Sequence, residues 1–536
     1  MQQLTGLDAS FLYLETPNVP MHISGLAIYD PSSAPGGKVG FKQIINNVMA
    51  RSSRVPSMTN VLQEVPLSLD HPYWRADGNF DPEYHIRHMA LPAPGDWRQL
   101  CILVSRLHAR QLDRSRPLWE MNVIEGLDKI DGFPKGCFAV FTKVHHAAID
   151  GASGVELSHA LHDLSADAGV PTASNHIVVD AKPSKLNLVI QSQINSIKTP
   201  FRFISVARNT IPSFAKAFAG IRSGKLTRVG NLPRTRFNDT VSPHRVFDAA
   251  KFDFEDIRLI KNSVEGATVN DVALTIVGGA LNKYLTAKGE LPEDSMAAMA
   301  PINIRTKDKL GAGGNQVSQM TVKLCTEIDK PLERLKAVHD GTLDAKELTN
   351  AVGAKAMTDY TQFIPATLTA SAARLSSSFG LMNQMAPAYN CVVTNVPGPQ
   401  IPLYFTGAKM LTTLGSGPVI DGTGLFHVIG SYCGEFSITA TCCRTMMPDP
   451  SFYVQCLHES LNDLKAAALA LQSPTPATKA VTKKKVKAKP KSSVKAKSTA
   501  KPKTAVNANA KAKSKPKSKA KPKTGVNAKP TAKGNR

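Results

Sequence analysis

The sequence predicts an α/β protein of two domains with a disordered basic tail, and three observations lead there. The chain has 536 residues, more than one ordinary hydrophobic core accommodates. Strand-like and helix-like apolar patterns are mixed in both halves of the first 472 residues. Beyond Gln472 the composition turns to repeated Lys-Pro, Lys-Ala and Lys-Ser units, which bury too little apolar surface to offset chain entropy.

The opening stretch MQQLTGLDASFLYLE has no basic leader region and carries Asp8 and Glu15, which excludes a secretory signal. Phe41 to Arg51 and Leu100 to Leu112 have helical apolar spacing, whereas Trp119 to Ile124 and Cys137 to Val144 read as strands. After Asp150-Gly151, helical spacing resumes at Val155, Leu157, Leu161 and Leu164, with the small residues of GASG suiting a first turn. These elements make a first domain, residues 1–184.

Residues 185–244 read as a basic crossover linker. Between Lys185 and Arg236 there are ten Lys or Arg and no acid, interleaved with Ile190, Phe201, Phe203, Phe214 and Phe218, and Pro200 and Pro212 interrupt any helix. Two readings stand: a linker packed on both domains, and a surface that lies on anionic lipid. The second domain, residues 245–472, holds the helical run NDVALTIVGGALNKYL, the glycine-rich GAGGNQ and the strand-then-turn NCVVTNVPGPQ. Residues 473–536 are the tail.

The formal charge of +23 belongs to that tail, which has 21 Lys or Arg and no acid and leaves 44 basic against 42 acidic residues in the rest. Eight cysteines without CxxC pairs point to reduced thiols, and no run of 18 apolar residues offers a spanning helix. A protein in the cytoplasm, soluble or peripheral to a membrane, is expected.

The stretch with the most chemistry is CFAVFTKVHHAAIDG, Cys137 to Gly151. Neighbours in a strand face opposite sides, so His145 and His146 do not serve one site together. A metal reading pairs His146 with Asp150 but lacks a third ligand. A structural reading has two satisfied core histidines and a helix-capping Asp150. The full pattern His-His-x-x-x-Asp-Gly arises by chance in a chain of this length about once in a thousand sequences. An imidazole here suits proton shuttling between a hydroxyl and a leaving group.

HHAAIDG resembles the HHxxxDG motif of bacterial wax ester synthase/acyl-CoA:diacylglycerol acyltransferases, within the wider CoA-dependent acyltransferases. LDASFLYLE, RPLW (Arg116 to Trp119), Asn270-Asp271, PINIR (Pro301 to Arg305), Gly314-Asn315 and NVPGP (Asn395 to Pro399) fit the same family, over about Leu4 to Leu464. The resemblance implies two domains like chloramphenicol acetyltransferase with a tunnel between them. It implies His146 as the general base that deprotonates diacylglycerol or a long-chain alcohol for direct attack on an acyl-CoA thioester. Asp150 would fix the loop and the ring of His146, His145 would point elsewhere, and Gly151 would let the chain turn close to the acyl donor.

Asn270 has two readings, an oxyanion donor or, with Thr268, the cap of the following helix. Trp119 reads as core or tunnel wall, and Pro397-Gly398 as a turn or a second-substrate contact. GAGGNQ lacks the Lys-Ser/Thr of a phosphate loop. No cofactor and no metal are implied, acyl-CoA being a co-substrate. Expected partners are acyl-CoA, diacylglycerol or long-chain alcohol, an anionic inner-membrane or lipid-body surface, and nucleic acid through the tail. Condensation-domain-like amide formation and simple polyanion binding are the alternative functions.

Overall fold

The computed structural model describes residues 1–52, 54–77, 80–149, 157–169, 179–197, 219, 222–223, 232–303, 317–352 and 386–472, all within the compact unit Met1–Pro474. Asp150, Gly151, Arg305, the GAGGNQ stretch and the tail lie outside them.

Two six-stranded mixed sheets organise the described chain. The first runs Tyr404–Phe405, Ala408–Ser416, His22–Asp30, Phe138–His145, Trp119–Glu125, Ile86–Ala90. Its neighbours are antiparallel except the last pair. Two of these strands come from beyond residue 400, so the carboxy-terminal segment completes the amino-terminal sheet. The second sheet runs Val317–Lys323, Ala297–Asn303, Cys391–Pro397, Leu425–Tyr432, Glu435–Cys443, Arg245–Asp253. A small sheet of Gln2–Gln3, Tyr73–Ala76 and Asn60–Gln63 flanks them.

Period-two alternation explains Phe138–His145. Phe138, Val140 and Val144 join one apolar cluster with Ile44, Val48 and Trp119. Ala139 and Phe141 join another with Leu100, Val104 and Leu107 of helix Trp97–Ala109. Lys143 and His145 share the parity of this second face. The helix expected to reach Leu112 stops at Ala109, where buried Lys143 Nζ donates to the carbonyls of Leu107 (2.8 Å) and Arg110 (2.7 Å) and pairs with Glu120 at 2.9 Å.

The helix expected through Leu164 also ends early, being helical at 157–161, with Leu164 69% exposed. Asp163 instead exchanges backbone hydrogen bonds of 2.8 Å with Tyr404 and pairs with Arg51 at 2.6 Å. Backbone pairing to the donated strand outcompetes another helical turn.

Helix Val269–Lys288 packs on the second sheet and is buried on every side from Asp271 to Leu281, where it is almost wholly apolar. A Cβ at Gly278 would lie 2.3 Å from the Leu324 carbonyl oxygen, so only glycine lets this helix sit so close. No described helix is long and apolar enough to cross a membrane.

Candidate active site

The site is built around the end of strand Phe138–His145. His145 N donates to Leu118 O at 2.9 Å, and His146 N donates to Met21 O at 2.8 Å. The two histidines are thereby held by different neighbours. His145 is buried and stands opposite His22 in the strand register. Its Nδ1 accepts from Ala147 N at 3.0 Å, which leaves its proton on Nε2, 3.6 Å from Glu15 Oε2.

Glu15 is the hub of a buried cluster. The helix Gly6–Leu14, capped by Thr5 accepting from Asp8 N, ends just before it, and Glu15 takes an extended conformation. Its carboxylate receives Arg114 Nη2 at 2.7 Å and Nε at 3.1 Å, faces His22 Nε2 at 3.3 Å, and is 2% exposed. Burial alone would raise its pKa, but its contacts with His145 and His22 outweigh burial and hold the carboxyl well below the usual range. Burial pushes His22 down to about 4 against the pull of Glu15. The cluster therefore holds an ionised carboxylate paired with Arg114 beside a His22 imidazole that burial keeps neutral.

His146 is partly exposed, and the ring of Phe11 stacks on it with centroids 4.0 Å apart and planes 13° from parallel. Phe11 packs both against Leu4, Leu12, Leu118 and Ala147 and against the core of the second sheet. Three stretches distant in sequence, FLYLE, DRSRPLW and HH, thus converge on one turn. Sequence reasoning missed Phe11, Glu15, His22 and Arg114. A carboxylate closing the apolar run FLYL was the one available signal, and nothing linked it to an arginine 99 residues away.

Asn270 lies at the start of the long helix, partly exposed. Thr268 is the cap: its Oγ1 accepts from Asp271 N at 3.2 Å, and Asp271 Oδ2 accepts from Thr268 N at 2.8 Å. Asp271 is buried and also meets His339 Nδ1 at 2.9 Å. The Asn270 amide takes no part in this cap, so the capping reading passes to its neighbours.

Trp119 is buried, its Nε1 donating to Met58 O at 2.9 Å and its ring stacked on His85 at 4.7 Å. It is also one wall of a cleft of about 270 Å³. Pro397 ends its strand, and Gly398 N still donates to Ser431 O at 2.9 Å, an oxygen from which a Cβ here would lie only 2.5 Å. Among the described residues no three His, Cys, Asp or Glu are grouped to hold a metal.

Residues 4–273 match the family model described as the wax ester synthase/diacylglycerol acyltransferase catalytic domain, and 313–465 match the family's C-terminal domain. A putative diacylglycerol O-acyltransferase of Mycobacterium tuberculosis is 32% identical over 450 residues, covering 84% of this chain and 87% of that protein. The O-acyltransferase WSD of Acinetobacter baylyi is 30% identical over 466 residues, 84% of this chain and 93% of its own. The solved wax ester synthase/diacylglycerol acyltransferase of Marinobacter aquaeolei superposes with a TM-score of 0.63 at 26% identity, over 87% of this chain and 100% of that one. The first condensation domain of the calcium-dependent antibiotic synthetase shares the fold, with a TM-score of 0.53 at 12% identity over 87% of this chain and 96% of that one.

Proposed function

The chain belongs to the wax ester synthase/diacylglycerol acyltransferase family, and on that premise we propose that His146 is the general base of its acyl transfer. The enzyme is an O-acyltransferase that moves an acyl group from acyl-CoA to diacylglycerol or a long-chain alcohol. Likeness to condensation domains is one of fold alone and lends amide formation no support.

One observation carries the assignment. Of the two adjacent histidines, His145 is committed to the Glu15 cluster, and His146 is the partly exposed one. In the reaction the His146 imidazole takes the proton of the acceptor hydroxyl as its oxygen attacks the thioester carbonyl. The tetrahedral intermediate then collapses, the C–S bond breaks, and the imidazolium returns the proton to the CoA sulfur. No covalent acyl-enzyme is required.

Phe11 fixes the ring plane by stacking, and the Glu15 cluster fixes the strand end from below. Asp150 orients the loop, and Gly151 allows close approach of the donor. Asn270, free of capping duty, donates its amide to the oxyanion. The substrates meet in a tunnel between the two halves.

Acceptors and products of this reaction are water-insoluble, which supports a location at a membrane or lipid-body surface, and the basic residues favour an anionic one. The basic segment and the tail bring it there, each Lys or Arg contributing up to about 1 kcal/mol near the surface. The tail also binds nucleic acid non-specifically. Purified protein given palmitoyl-CoA with hexadecanol or diolein forms wax ester or triacylglycerol, resolved by lipid chromatography, and ester in neither reaction overturns the reading. A chain ending at Gln472 keeps activity on detergent-dispersed substrate while shifting less DNA at low salt; loss of activity would make the tail part of the catalytic fold.

A further inference from the structure

The basic segment opens with a helix, residues 185–197, whose polarity is inverted. Ser184 Oγ accepts from Asn187 N at 3.1 Å and caps it. Its inner face is mostly polar: Leu188 and Ser192 are buried, and Asn195 Nδ2 donates to Asp70 Oδ2 at 2.7 Å. The outer face carries Leu186 (68% exposed), Ile190 (50%), Ile194 (40%) and Ile197 (70%). Steps of four, four and three residues line these up as one stripe.

A helix facing water turns such a stripe inward, and a contiguous exposed apolar patch marks an interaction site.

Charge identifies the occupant. From Ala181 to Asn238 the chain has eleven Lys or Arg and no acid. A second copy docked on this stripe would bring two such segments together and repel. A protein partner would have to cover a narrow line of four side chains, far less than a stable interface needs. An anionic phospholipid layer satisfies both features, taking the apolar side chains into the acyl boundary and the lysines at the headgroups.

We infer that the outward stripe of helix 185–197 inserts into an anionic phospholipid surface and docks the enzyme there. This rests on the acyl-transfer reading, which supplies the water-insoluble substrates, but its test needs no turnover.

The full-length chain is floated with vesicles of phosphatidylcholine and phosphatidylglycerol at about 1 M NaCl, where the screening length is about 3 Å and lysines contribute little. The combined variant Leu186→Ser, Ile190→Ser, Ile194→Ser, Ile197→Ser loses at least about tenfold in partition with its melting temperature unchanged. Equal partition overturns the inference. So does a fall in thermal stability, which would mean that this chain covers the stripe, or a change of oligomeric state, which would mean that a second copy does. Ile190→Trp gives an independent readout: its emission shifts to the blue on vesicle addition, and an unshifted difference spectrum also overturns the inference. Repeating both in the His146→Ala background separates docking from chemistry, because loss of ester formation there leaves partition intact.

Discussion

The turn after the first sheet's strand Phe138–His145 and the start of helix Val269–Lys288 solve the same problem in the same way. Each carries a pair of adjacent polar residues. One member of each pair is buried and tied into a carboxylate–histidine contact: His145 to Glu15, and Asp271 to His339. The other member, His146 or Asn270, is partly exposed. The difference lies in what holds the anchor. At the helix start it is a local capping box within four residues, whereas at the turn it is a cluster drawn from residues 15, 22, 114 and 145. A local anchor is cheap to form and tolerant. A long-range one is rigid and more easily broken.

His146→Ala is the sharpest break of that parallel. It should cost about 10²–10⁴-fold in ester formation without lowering the melting temperature, because the ring is partly exposed and its loss opens no core cavity. His145→Ala should do the reverse, destabilising by about 1–3 kcal/mol with a milder rate loss. A larger rate loss from His145→Ala in equally folded protein would reverse the assignment.

The matching comparison in the other half comes next in size. Asn270→Ala should lower kcat by about 10²–10³-fold with unchanged stability if its amide meets the oxyanion. Asp271→Ala should cost about 1–2 kcal/mol through the cap. Steady-state kinetics beside thermal melts distinguish the two, and an Asn270→Ala enzyme of normal kcat would remove the oxyanion role.

Glu15→Gln tests whether the distant anchor really positions the turn. Removing the charge leaves Arg114 unpaired; because that arginine is 36% exposed, about 2 kcal/mol is expected rather than the larger penalty of a fully buried pair. Ester formation should fall about 10–100-fold even where the variant is fully folded, since a displacement of about 1 Å at the reacting group has this effect. Restoration by Glu15→Asp, in part, would mark a charge effect; full activity in Glu15→Gln would show that the cluster only stabilises.

The smallest effect is a gradient between the halves with pH. Burial pushes His22, His162 and His427 down to about 4 and His108 well below its ordinary value. Their unfolded pKa is about 6.5, so between pH 6.5 and 4 the unfolded chain binds more protons. The stability these neutral rings provide is thus complete above about pH 6.5 and lost as pH falls, by up to about 3 kcal/mol for each of the three. Three of the four, His22, His108 and His162, contact the first sheet or its helix. Hydrogen exchange at pH 5 should therefore open the first sheet before the second, and equal opening would refute the gradient.

Much of this was legible in advance where the physics is local. The strands at Trp119 and Phe138 and the helix at Val269 follow from periodicity and capping. Thr268 and Asp271 lie three residues apart, so their cap was readable, although the sequence alone left Asn270 as a rival for it. The early ends of two helices were not legible, because Lys143 and Tyr404, distant in sequence, compete for those backbone groups.

By itself the sequence determined the class of the fold, the basic composition of the tail, the histidine pair as the place to look for the site and, through HHAAIDG with its companion motifs, the family. All of these reside in composition or in short spacings that survive without a folded context. Tertiary structure alone decided that residues 404–416 complete the amino-terminal sheet. It also decided that Phe11 stacks on His146, that Glu15 gathers His22, Arg114 and His145, and that helix 185–197 turns its apolar stripe outward. These depend on which distant segments share buried space, and the energy of a buried charge or an exposed stripe is set by neighbours that chain order does not record.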